Sequence, residues 1–481
     1  MRFRVVRPVL FAVLTCVLLL LSCATNPVTN QSEFMLLSRD DELAMGRETD
    51  PQILSSYGRY EDADLAAYLD DFGKRLGAVS HQPDIAYRFT VLDSPVVNAF
   101  AVPGGYVYVT RGMLAYLNDE AELAGVVGHE VGHIAARHSA QQYSRAQVAQ
   151  LGLGIGSILS PTFAKLAGIA QAGISLLFLS FSRDNERQAD DLGVLYSSKA
   201  GYDARQMANL FVTLERLDPA GGNDGLPAWF STHPNPPDRI VAIRAKAEEW
   251  QKANPQATLA LNRDGYLQRL DGLVFGEDPQ RGYVDGGVFY HPELKLQFPV
   301  PAGWALNNTA SQVQIFTEEQ DAVILFSMAT ERTPAAAADA FVSGSGASVV
   351  LSEGLRMNGL NAQRVVCNVD TDDGVLRAIS YFIDKDGVVY DFLGYTPMDA
   401  FQSRLGIFEQ TMEGFRTLTD PARINVTPDL VVLRKARREG TLRQALRDLG
   451  TPEGELEASA IMNGMALTDT VAANTLLKVI E

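Results

Sequence analysis

The spacing of apolar and polar residues changes several times along the chain, and each change marks a region. Arg2, Arg4 and Arg7 precede a largely apolar run of 13 residues from Val9 to Leu21. Such a run falls short of the ~20 residues that cross a bilayer and suits the core of an export signal. Residues 23–40 are polar and read as an extended tether. Leu65, Tyr68, Leu69, Phe72, Leu76 and Val79 recur at spacings of three and four, which predicts an amphipathic helix over 61–79. Residues 85–92 and 96–110 read as strands, and 118–138 and 239–252 as helices. Residues 146–181 are apolar and Gly-rich, but Pro161 and Lys165 interrupt them, and neither half reaches ~20 clean apolar residues. A helical hairpin or lid beside a cleft is expected there, with a membrane hairpin or a partner-binding surface as alternatives.

Beyond residue 286 the period shortens. Strands are expected at 294–299, 312–316, 322–329, 363–368, 377–383 and 387–394, with helices at 334–343 and 398–416. The tail reads strand, helix, helix, strand through Val431, Leu442–Leu449, Glu455–Met462 and Leu476–Ile480. The pattern therefore predicts a multidomain chain. A signal at 1–22 and a tether at 23–40 precede a mainly α domain with a small β-element over 41–253. A linker follows at 254–285, then an α+β domain at 286–422 and a small βααβ module at 427–481.

Composition narrows the function classes. Apolar residues make up 46% and charged residues 21%, which excludes wholesale disorder. The net charge of −17 without a basic block excludes nucleic acid as a partner, because that affinity begins with Lys and Arg on phosphates. Loss of 1–22 removes three Arg and no acid, so the remaining chain is more acidic still. Three cysteines occur: Cys16 inside the signal, Cys23 at its end, and Cys367 alone, which leaves no internal disulfide to expect.

The chemistry concentrates in 118–138, NDEAELAGVVGHEVGHIAARH, where Asn118 is a candidate N-cap. His129 and His133 are four apart and share a helix face, so both imidazoles can reach one ion. Glu130 beside them can act as general base on a water. This is the HExxH pattern of zinc hydrolases. The chain has only six His, so chance placement at this spacing is improbable. Gly128 and Gly132 weaken a helix and imply close approach of another backbone. A catalytic zinc needs a third ligand. His138, five residues on, would lie on another face of a continuous helix. Ser139 stands where a metzincin would place its third His. Glu186 on a second helix, with Asp190 one turn later, resembles the gluzincin arrangement, in which the Asp orients a ligating His from behind.

Leu20-Leu21-Ser22-Cys23-Ala24 resembles a bacterial lipobox, which implies acylation of Cys23; the Ala after it implies sorting to the outer membrane, facing the periplasm. HEVGH at 129–133, SRDNERQAD at 182–190, STHPNPPDR at 231–239 and NAFAVPGG at 98–105 together resemble the metallopeptidase family of the CAAX prenyl endopeptidase, the HtpX heat-shock membrane protease and periplasmic β-barrel assembly quality-control proteases. The resemblance covers about 35–250. It implies a zincin-like fold, one Zn2+ per chain at His129, His133 and Glu186, and Glu130 as base. It also implies that extended substrate adds as a strand along Asn98, Ala99, Phe100, Ala101 and Val102. His233 is read as an oxyanion donor, as an extra zinc ligand that closes the site at rest, or as a cap in a Pro-rich loop. Arg239 is read as an oxyanion donor or a structural ion pair.

Phe298–Trp304 faintly resembles a PsbP-like module, and the tail resembles a LysM-type module, which implies a peptidoglycan contact; the absence of aromatic residues from 430–481 speaks against sugar binding. The resulting expectation is a zinc-dependent endopeptidase of the bacterial cell envelope acting on unfolded or mis-assembled proteins. The alternative is an envelope chaperone or peptidoglycan-associated scaffold with a gated or little-used zinc site.

Overall fold

The computed structural model describes residues 23–153, 181–217, 229–230, 233, 238–371 and 374–481, with side chains of 146–153 left aside. The expected signal at 1–22 and most of the expected lid at 146–181 lie outside the described residues. Among those described, no helix is long and apolar enough to cross a membrane.

The expected tether is not extended. β1 (Cys23–Thr25) and β2 (Ser32–Phe34) form a hairpin, and the chain beyond it is held down. The Leu36 amide donates to Ser144 Oγ at 2.8 Å, and the Arg137 guanidinium donates to Leu37 O at 2.8 Å. Asn26 explains the turn, since its side-chain oxygen accepts from the Val28 amide at 2.9 Å. Helix α1 (Arg39–Tyr57) follows behind a capping box of Ser38 and Asp41.

Helix α2 (Ala63–Ala78) buries the apolar stripe expected of it: Leu65, Leu69, Phe72 and Leu76. It covers one face of a three-stranded sheet of β3 (Arg88–Leu92), β4 (Ala99–Val102) and β5 (Tyr106–Thr110), ordered β3-β5-β4. Gly104 and Gly105 turn β4 into β5 with φ of 87° and 96°, conformations that a side chain would strain. Helix α3 (Arg111–Tyr116) leads to α4 (Glu120–Ala135), every residue of which is buried. Its cap is Asp119, one residue later than expected: the Asp119 carboxylate accepts from the Glu122 amide at 2.8 Å, while Glu122 accepts from the Asn118 amide at 2.7 Å.

Helix α5 (His138–Leu153) begins after a break, and α6 (Arg183–Lys199), α7 (Met207–Leu217) and α8 (Arg239–Ala253) pack around α4. Gly128 and Gly132 do admit another backbone. A Cβ at Gly128 would stand 3.1 Å from Gly193 O of α6, and one at Gly132 3.0 Å from the Leu192 Cβ.

Residues 254–285 are more than a linker. They contain α9 (Arg263–Arg269), β6 (Leu273–Phe275) and the start of the next domain, β7 (Tyr283–Asp285). The α+β domain continues with β8 (Val288–His291), β9 (Leu296–Pro299), β10 (Ala305–Asn308), β11 (Gln312–Phe316), β12 (Val323–Met328), α10 (Pro334–Ser345), β13 (Ser348–Met357), β14 (Leu360–Thr371), β15 (Gly374–Lys385), β16 (Val388–Pro397), α11 (Phe401–Glu413) and β17 (Arg416–Thr417). Its antiparallel seven-stranded sheet runs β10-β11-β12-β16-β15-β14-β13. One face packs on α11 and the smaller sheet β17-β9-β8-β7 through Phe298, Phe392 and Phe408; the other lies under α10.

The tail forms β18 (Asp429–Lys435), the short pair β19 (Gly440–Thr441) and β20 (Thr470–Val471), helices α12 (Leu442–Leu449) and α13 (Leu456–Met462), and β21 (Leu476–Ile480). β18 pairs with β21 on one side and with β6 on the other. Leu273 and Val431 belong to the same apolar core as α2, α4 and α7, so the tail is built into the body of the helical domain.

Candidate active site

Helix α4 brings His129, Glu130 and His133 into the protein interior, all at most 1% exposed. Because α4 and α6 meet over glycines, Glu186 of α6 reaches the same point. His129 Nε2 and His133 Nε2 face each other at 3.0 Å, and Glu186 Oε1 lies 3.4 Å from His133 Nε2. His233 joins them, its Nδ1 3.0 Å from Glu186 Oε1 and 3.3 Å from His129 Nε2. One ligand atom from each of the four lies within 4.8 Å of all the others. Two imidazole nitrogens and a carboxylate converging in a buried space, with both Glu130 oxygens and His233 Nε2 lacking hydrogen-bond partners, fit a divalent cation with N and O preference.

The electrostatics follow from burial and neighbours. Burial depresses the pKa of both His129 and His133, keeping them neutral as ligands must be. Burial acts to raise Glu186, but the imidazoles of His233, His133 and His129 outweigh it and hold its carboxyl well below the usual range. At Glu130 burial outweighs the opposing pull of His233, and pushes the carboxyl up to about 8.

Asp190 Oδ1 lies 3.0 Å from His129 Nδ1, on the side away from the cluster. Arg239 grips Asp190 with two hydrogen bonds of 2.7 Å and reaches Glu186 Oε2 at 3.1 Å. Its guanidinium thus contacts Asp190 and the cluster's own Glu186 and stacks over Phe211. Asn98 is buried at the head of β4, and β4 is the edge strand beside α4. The Trp229 amide donates to Val97 O at 3.3 Å just before that edge. Ser231, Thr232 and Pro234–Pro237 lie outside the described residues.

Sequence reasoning missed four neighbours. Phe181 stacks on the His133 ring at 4.0 Å between centroids, and Trp229 stacks on His233 at 4.3 Å. His138 and Gln188 form a chain behind His133. Only His138 carried a signal, and it was discarded on the premise of one continuous helix. Arg137 has φ of 59°, so α4 stops and His138 is not carried to another face.

A buried HExxH helix opposed by a Glu from a second helix defines a metallopeptidase site. Comparison with known proteins agrees: residues 63–247 match Peptidase family M48, whose members are zinc-dependent. The mitochondrial metalloendopeptidase OMA1 of Schizosaccharomyces pombe is 34% identical over 47% of this chain and 65% of its own length. Beta-barrel assembly-enhancing proteases of Yersinia pestis (31% identity, 46% of this chain, 47% of the relative) and Escherichia coli K12 (30%, 52% and 52%) are also similar. The chain therefore spans about half to two thirds of the length of these relatives. Among solved structures, cyanobacterial PsbP (CyanoP) from Synechocystis matches 28% of this chain and 98% of its own at 15% identity, with a TM-score of 0.24. At that score the likeness decides nothing about the fold.

Proposed function

We propose that this chain is a zinc-dependent endopeptidase of the bacterial cell envelope, anchored through Cys23 to the outer membrane, that degrades unfolded or mis-assembled envelope proteins. The observation that carries the reading is the convergence of His129, His133 and Glu186 around one buried point, with Glu130 beside it. Similarity to beta-barrel assembly-enhancing proteases supports the compartment and the substrate class.

Bound at these three residues, one zinc supplies a polarised scissile carbonyl and a water acidified toward neutrality. Glu130 takes a proton at its carboxylate and delivers it to the leaving amine. Asp190 and Arg239 hold His129 and Glu186 in place. The open edge of β4 orients an extended substrate by strand addition. His233 sits where a fourth ligand would, and this favours a site closed at rest.

The test uses the purified chain from Cys23 to Glu481, measuring zinc per chain and cleavage of unfolded casein. One zinc per chain is expected, and Glu130→Gln is expected to keep it while losing at least about 10²-fold in cleavage. Full proteolysis in that variant would overturn the mechanism. If the parent binds zinc but cleaves little, His233→Ala should release activity; a chain that binds no zinc would turn the reading toward a scaffold.

A further inference from the structure

The two imidazoles of the HExxH helix are backed differently. His129 Nδ1 faces a carboxylate, Asp190, itself clamped by Arg239. His133 Nδ1 faces a third imidazole instead: His138 Nδ1 stands 3.0 Å away, and His138 Nε2 is 2.8 Å from Gln188 Oε1. We propose that His138, oriented by Gln188, is a positioning residue that fixes the ring and tautomer of His133 for metal binding. The inference rests on the zinc reading above.

The proton placement follows from the end of the chain. An amide oxygen only accepts, so His138 Nε2 carries the hydrogen and donates it to Gln188. His138 Nδ1 is then unprotonated and accepts from His133 Nδ1–H. His133 is left with its Nε2 lone pair directed at His129 Nε2 and Glu186, where the ion belongs. Every link needs the one before it.

The fold goes to some length to build this. A continuous helix would carry His138 round to another face. The positive φ of Arg137 ends α4 and lets α5 start at His138, folding its ring back over the last turn. Arg137 is secured in that conformation by Glu42 at 2.9 Å and by Leu37 O. His138 is fully buried, and its ring meets that of His133 edge-on at 4.9 Å and 75°. Gln188 comes from α6, two residues after Glu186, so one helix supplies both a ligand to the ion and the end of the relay.

The experiment measures the zinc dissociation constant by chelator competition on the full chain, the absorption spectrum with Co2+ in place of zinc, and the melting temperature of the metal-free protein. His138→Phe, which keeps the ring volume and removes the acceptor, should weaken zinc binding about 10–100-fold and shift the Co2+ bands. His138→Asn, which returns an acceptor near the Nδ1 position, should recover most of the affinity. Gln188→Leu should give a smaller loss in the same direction, and serves alone if His138→Phe does not fold. Unchanged zinc affinity in both His138→Phe and Gln188→Leu would overturn the proposal. So would a loss that Asn does not rescue and that tracks a lower metal-free melting temperature, since that marks mere packing. A parent chain that binds no zinc would overturn the metal site itself, a result separable from these.

Discussion

Asp391 shows what a half-buried carboxylate with one unpartnered oxygen does in this chain. It lies on β16 on the face shared with Val389 and Leu393 beneath α10, and its Oδ1 has no hydrogen-bond partner. Burial, then the charge of Glu331, pushes its pKa up to about 7. The folded state thus holds a proton that the unfolded chain releases near 4, so stability falls as pH rises from about 4 to about 7. Asp391→Asn should flatten that slope and melt higher than the parent at pH 8, with little difference at pH 4; thermal melts across pH check this. Arg239 is the opposite case, a buried cation satisfied by Asp190 and Glu186. Arg239→Met leaves both acids uncompensated and should cost about 3–5 kcal/mol in denaturant unfolding. Single residues were legible where helical spacing settles them, as for His129, Glu130, His133, Glu186 and Asp190. Phe181, Trp229 and Gln188 were not, because only tertiary folding brings them to the site.

Among the elements, α4 is unusual in being buried along its whole length while carrying Glu and His, and glycine is what allows it. Alanine favours a helix over glycine by about 1 kcal/mol. At Gly128 the added methyl would press on Gly193 O, and overpacking costs about 1–3 kcal/mol. Gly128→Ala should therefore lower the melting temperature and weaken zinc binding by parting α4 from α6. Gly406→Ala in α11 meets nothing within 4 Å and should raise the melting temperature; paired calorimetry of the two variants tests both. Periodicity found α2, α8 and most strands of the α+β domain to within a few residues. It missed β7, β8, β10, β13 and β17; β13 is an edge strand exposed on both sides at Val349 and Val350, where burial imposes no alternation. It also joined α4 to α5, since nothing in the local sequence announces that Arg137 turns left-handed.

At the scale of the molecule, the tail is wedged against the start of the active-site helix. Lys478 of β21 is fully buried and donates to Ala115 O at 2.6 Å and Leu117 O at 2.8 Å. Burial pulls its ammonium down to about 7, and burial with Asp119 pushes nearby Glu122 up to about 8. Lys478→Met should leave both carbonyls unpaired at about 1–3 kcal/mol each, read as faster amide exchange over 115–122 and a lower melting temperature. This docking was illegible beforehand because the hydrophobic pattern of 427–481 describes a small module complete in itself. Asn463 ties Lys478 down through its side-chain oxygen, which accepts from the Lys478 backbone amide at 2.9 Å. The pairing of β6 with β18 carries a consequence for biogenesis. The two strands flank the whole α+β domain in sequence, so a chain synthesised from its N-terminus cannot complete the catalytic body until the residues of β18 have emerged. Maturation is thereby coupled to completion of the chain, and a hydrolase assembled in this order stays incomplete until two strands far apart in sequence have met.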